Sequence, residues 1–77
     1  VKLRWDRFGD GELAMLGDVQ IAMITPLASD PATWAYSVSG VALKWIAKGH
    51  GHVRGKASAK RSVERAWSAW LERAGLQ

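Results

Sequence analysis

The chain has 77 residues, with 11 Lys plus Arg against 7 Asp plus Glu, and a formal net charge of +4 with neutral His. It contains no Cys, which excludes a disulfide framework and a Cys-ligated zinc site. The longest apolar run falls far short of the ~20 residues that span a bilayer, and no secretory signal pattern is visible at the N-terminus, so we expect one domain over 1–77, cytoplasmic and without membrane contact.

Residues 2–8 alternate, with Leu3 and Trp5 on one face and Lys2, Arg4 and Asp6 on the other. This is the pattern of a half-buried strand. Gly9-Asp10-Gly11 tolerates φ > 0 and predicts a tight hairpin, with Glu12 to Leu16 as the return strand. Gly17-Asp18 marks a second turn or a bulge. Val19, Ile21 and Met23 alternate with Gln20 and Ala22 and predict a third strand. Pro26 ends it, having no N–H for a ladder. Residues 26–33 read as a surface loop. Trp34, Tyr36 and Val38 alternate in a fourth strand that Gly40 breaks, and Leu43 to Ala47 offers a fifth. Residues 49–55, GHGHVRG, are too glycine-rich for a strong strand but allow a short extended edge.

The period then changes. Val63, Ala66, Trp67, Trp70 and Ala74 lie on one helical face. Ser58 is the expected N-cap and Gly75 the expected stop, with Leu76 as the capping contact. The expected fold is α+β: a small antiparallel sheet of four to five strands over about 2–55, and one C-terminal α-helix over about 59–74 packed on one face. Neither layer buries its apolar side alone. With no disulfide available, Trp5, Trp34, Trp45, Trp67 and Trp70 are the expected anchors, Trp45 being the least clear. Each buries about 150–250 Å², worth several kcal/mol at ~25 cal/mol per Å². Met15, Leu16, Ile24 and Ile46 suggest that part of the second sheet face is covered too, by a second chain for instance.

Charge is unevenly spread. Residues 1–47 hold four basic and five acidic residues, whereas residues 48–77 hold seven basic and two acidic. Lys48, Arg54, Lys56, Lys60 and Arg61 fall in a stretch with no acid. Lys60 and Arg61 would sit in the first turn of the expected helix, where the dipole disfavours cations and N–H groups favour an anion. This combination points to a phosphate or carboxylate partner, against the plainer reading of a solvated basic face. Those five residues are the expected site for a protein partner or nucleic acid.

Other chemistry finds little support. His50 and His52 share a face if extended, but no third metal ligand lies nearby, so we expect no metal and no cofactor. The glycines around them match no phosphate-binding motif. Ser58 or Ser62 beside His50 or His52 lacks an orienting carboxylate, and Asp6, Asp10 and Asp18 are explained by turn chemistry. We expect no catalytic residues.

Gly49-His50-Gly51, Lys56, Ser58, Lys60, Arg61 and Ala66 resemble the second half of a double-stranded-RNA-binding domain, where strands lead through a GxG loop into a basic helix start. The family's N-terminal helix has no counterpart here, and KASAKR replaces its tight lysine cluster. The order of strands and then a helix is also similar to a three-stranded integrase arm-binding domain. The whole chain looks more like small proteins of phages and prophages. The shared features are Trp5 in a first strand, Gly17-Asp18-Val19, Pro26, a strand opening with Trp34, and a helix carrying Trp67-Ser68-Ala69-Trp70-Leu71 and closing with Ala74-Gly75-Leu76. Some phage proteins of this size are anti-CRISPR inhibitors. The resemblance implies a mobile-element accessory protein. The expected function is a non-enzymatic binding protein of that type, an anti-CRISPR-like inhibitor that sterically blocks a host RNA-guided defence ribonucleoprotein through the basic residues. A direct nucleic-acid-binding domain and a phage structural or assembly protein are the alternatives. A homodimer through an open sheet edge fits each of them.

Overall fold

The computed structural model describes residues 2–38 and 50–75. Its elements are β1 (Arg4–Phe8), β2 (Gly11–Leu16), β3 (Val19–Pro26), β4 (Thr33–Val38), β5 (His50–Arg54) and α1 (Lys56–Arg73). All strand pairs are antiparallel, in the order β1-β2-β3-β4-β5. The helix packs on one face of this sheet, chiefly over β4 and also over β3 and β5. The α+β expectation therefore holds. The expected strand at Leu43–Ala47 lies outside the described residues, as do Trp45, Ile46, Lys48 and Leu76.

Both early turns fall where glycine allows them: Gly9 and Gly17 have φ of 58° and 62°. The β2–β3 register shifts at Ala14/Met15: Ala14 pairs with Ala22, but Met15 pairs with Gln20, so Ile21 is the extra residue of a β-bulge. The bulge changes the expected facing of β3. Ala22 and Ile24 lie fully buried on the helix side and Ile21 is buried beside them, whereas Val19 is 61% exposed. A plain alternation of Val19, Ile21 and Met23 does not survive, because one inserted residue reverses the side on which later residues project.

The core joins Ala14, Ile21, Ala22, Ile24 and Val38 of the sheet to Ala59, Val63, Ala66, Trp67 and Leu71 of α1. Leu16 packs against the same core. Leu16 and Ile24 thus belong to the helix side and not to a second buried face. Of the described tryptophans only Trp67 is buried. Trp5, Trp34 and Trp70 are half-buried and pack against the core with part of their surface. Trp70 stacks on Trp67 with 5.4 Å between ring centroids.

His50–Arg54 forms a regular strand, the last of the sheet among the described residues, despite its glycine. Tyr36 lies cross-strand from Gly51, and a Cβ there would stand 2.9 Å from the Tyr36 hydroxyl. The ring takes the space that a side chain would fill, so any larger residue there would have to displace the Tyr36 ring.

The helix begins three residues before the expected start. Its N-cap is Gly55, with φ 87° and ψ 146° and no side-chain capping bond, and not Ser58. Only glycine adopts this backbone comfortably. The chain passes from β5 into α1 through that single residue, and the Gly55 N–H still bonds the Ala32 carbonyl at 2.9 Å. Ser58 lies one turn in, accepting a bond from Arg61 on its hydroxyl at 3.1 Å. At the other end Gly75, φ 73°, stops the helix as expected, and its N–H bonds the Glu72 carbonyl at 3.2 Å.

Candidate binding surface

The corrected helix start moves Lys56 into the first turn and Lys60 and Arg61 into the second. No acidic residue of the helix offsets them there. The compensation comes from the sheet. Glu12 of β2 stands on the helix side, in register with Ile24, and is buried. Lys56 forms an ion pair with Glu12 Oε2, and Lys60 Nζ lies 3.1 Å from Oε1. The hydrogen bond from Lys56 holds the Glu12 carboxyl below its ordinary range. Burial pushes the other way, and Lys60 adds to the lowering.

Each lysine also covers an indole. Lys56 Nζ lies 5.9 Å from the Trp34 ring centroid, and Lys60 Nζ lies 5.3 Å from that of Trp5. The Trp5 indole N–H points at Glu64 of α1 at 3.5 Å. The two cations are thus fixed on one side by a carboxylate and on the other by aromatic faces. Their outer surfaces remain in solvent, the Lys56 side chain being 48% exposed and that of Lys60 31%. An open cleft of about 390 Å³ adjoins them, lined by Trp5, Arg7, Asp10, Glu12 and Lys56 together with Gly9 and Gly11.

The five expected site residues do not form one uniform patch. Lys56 and Lys60 converge on Glu12. Arg61 is exposed on the helix and bonds Ser58. Arg54 is exposed on β5. Val53 packs toward the core and Gly51 lies against Tyr36, so alternation sends His50, His52 and Arg54 to the face away from the helix. Arg54 and Arg61 have no carboxylate within ion-pair distance among the described residues. Lys48 lies outside the described residues. The two histidines face away from Ser58 and Ser62, and the Ser62 hydroxyl donates to the Ser58 carbonyl at 3.0 Å. Among the described residues no cluster of three or more His, Cys, Asp or Glu could hold a metal ion. No described helix is long and apolar enough to cross a membrane.

Glu12, Trp5, Trp34 and Arg7 are absent from the expected site. The available signal was the alternation of β2, which sets Glu12 on the same side as Ala14, a carboxylate in an inward register. No known protein family matches the chain, and no curated protein or solved structure is significantly similar to it.

Proposed function

We propose that this chain is a non-enzymatic binding protein of phage or prophage type. It acts as an anti-CRISPR-like inhibitor that occupies an anionic surface of a host RNA-guided defence complex and so denies it target DNA. The observation that supports this reading most is the ordering of Lys56 and Lys60 by Glu12, Trp34 and Trp5. Cations ordered before the encounter lose less side-chain entropy when a partner docks, which suits a steric binder. Arg54 and Arg61 extend the positive surface without an internal carboxylate. They also support the alternative reading, direct contact with nucleic-acid phosphates.

The test is inhibition of target-DNA cleavage by a purified host RNA-guided complex. The double variant Arg54→Glu/Arg61→Glu leaves the Glu12 network intact. It is expected to lose inhibition at least about tenfold, the equivalent of about 1.4 kcal/mol, with an unchanged circular dichroism spectrum. Full inhibition by that variant and by Lys56→Gln/Lys60→Gln overturns the proposal.

A further inference from the structure

Among the described residues β5 is the last strand of the sheet, with β4 as its neighbour. The bond from the Gly55 N–H to the Ala32 carbonyl continues the β4–β5 register, in which Arg54 opposes Thr33. In an antiparallel pair the mutually bonded positions alternate. Gly55, Val53 and Gly51 therefore turn their backbone groups toward β4. His52 and Arg54 turn their N–H and C=O groups to the outer edge. Such an edge is a template for another strand.

Its charge selects the occupant. No acidic residue occurs between Asp30 and Glu64, so β4 and β5 carry none. His50, His52 and Arg54 are all exposed along β5, Arg54 as a fixed cation and the two imidazoles as N–H donors. The opposite edge differs, because Arg4 of β1 is already paired with Asp6 at 3.0 Å. We propose that β5 accepts an extended acidic segment of a protein partner as an added strand. The ladder bonds go to His52 and Arg54, and alternate Asp or Glu side chains of the segment face the Arg54 guanidinium and the imidazole N–H donors. A second copy fits less well: in an antiparallel self-pair centred on His52, Arg54 would meet His50 of the other copy with no carboxylate in either strand. A DNA backbone brings acceptors alone and leaves the outward C=O groups of β5 unbonded. This inference rests on the binding reading above and names the kind of segment bound.

The test uses the whole chain and two synthetic ten-residue peptides, one alternating Val with Glu and one alternating Val with Lys. Amide exchange is followed by NMR. The Val–Glu peptide should slow exchange at His52 and Arg54 at least about tenfold, whereas the Val–Lys peptide should not. His52→Pro removes an N–H that faces the edge and no bond to β4, a position where an edge strand tolerates proline. It should abolish the protection while the spectrum of the rest of the sheet is kept. Arg54→Glu should shift the preference toward the Val–Lys peptide, which provides a second readout if the proline variant fails to fold. Equal uptake of both peptides overturns the inference. So does no uptake at millimolar peptide, or binding without protection at His52 and Arg54. Protection that grows with protein concentration alone would make a second copy the occupant, and protection by duplex DNA alone would make it nucleic acid. Inhibition kept by His52→Pro but lost by Arg54→Glu/Arg61→Glu would remove the added strand and leave the binding reading standing. Inhibition kept both by the double arginine variant and by Lys56→Gln/Lys60→Gln would remove that reading itself.

Discussion

Glu12 links the sheet, the helix start and two aromatic faces. Its carboxylate is desolvated by burial, and that cost is offset by two ammonium groups. Glu12→Gln keeps the shape and removes the charge. It leaves Lys56 and Lys60 close together, but both remain partly in water, so the expected loss is about 1–2 kcal/mol, at the low end for hydrogen bonds to charged groups. The pH dependence has a definite sign. The folded carboxyl titrates below its ordinary value, so the unfolded chain binds the proton more readily. The stabilisation is complete above the ordinary glutamate range, near about pH 4.3, and is lost as pH falls through the lower folded value. Urea denaturation should show wild type above Glu12→Gln at pH 7, with the gap closing in acid. A gap that persists after Glu12 is protonated would mean that packing, and not charge, is what the side chain provides.

Gly55 shows how an element can defeat a local rule. Ser is a favoured N-cap and Ser58 precedes the apolar periodicity, so the sequence points there. The fold instead needs one residue that closes the β4–β5 ladder and starts a helix, and φ 87° with ψ 146° does both. Gly55→Ser supplies the favoured residue at the true cap, yet it should destabilise by about 1–3 kcal/mol, because a Cβ makes that backbone strained. Ser58→Ala should cost less than the ~1 kcal/mol of a lost cap. Urea titration of both variants checks the pair, and the reverse order would restore Ser58 as the functional cap. The same contrast explains what was legible. Gly9–Gly11, Gly17-Asp18, Pro26 and Gly75 act within a few residues, so the turns and the ends of β3 and α1 could be read directly. The bulge at Ile21 could not, because it depends on which β2 residue faces it. Nor could β5, because the weakness of Gly51 is compensated by Tyr36, fifteen positions earlier in the chain. The basic residues were visible as a run, but their pairing with Glu12 was not, because it bridges β2 and α1 across more than forty positions.

For the molecule as a whole, that pairing sets how much positive charge a polyanion meets. Of the four described residues of the expected site, Lys56 and Lys60 share one internal carboxylate, which offsets one of their two charges, so three net positive charges remain with Arg54 and Arg61. Each phosphate neutralised on B-DNA contributes roughly 0.9 to the slope of log K against log salt. These residues in the wild-type chain should therefore supply a slope of at most about −2.7 on bare duplex DNA, and binding should be weak at physiological salt. Glu12→Gln removes that offset and should steepen the slope by about 0.9, toward about −3.6. Filter binding or fluorescence anisotropy with duplex DNA at several salt concentrations measures both. A shallow wild-type slope that steepens in Glu12→Gln fits a surface tuned for an anionic protein partner, with Glu12 moderating its attraction to nucleic acid. A steep wild-type slope with tight binding, little changed by Glu12→Gln, would show that the Glu12 pairs yield to phosphate and would favour direct nucleic-acid binding instead.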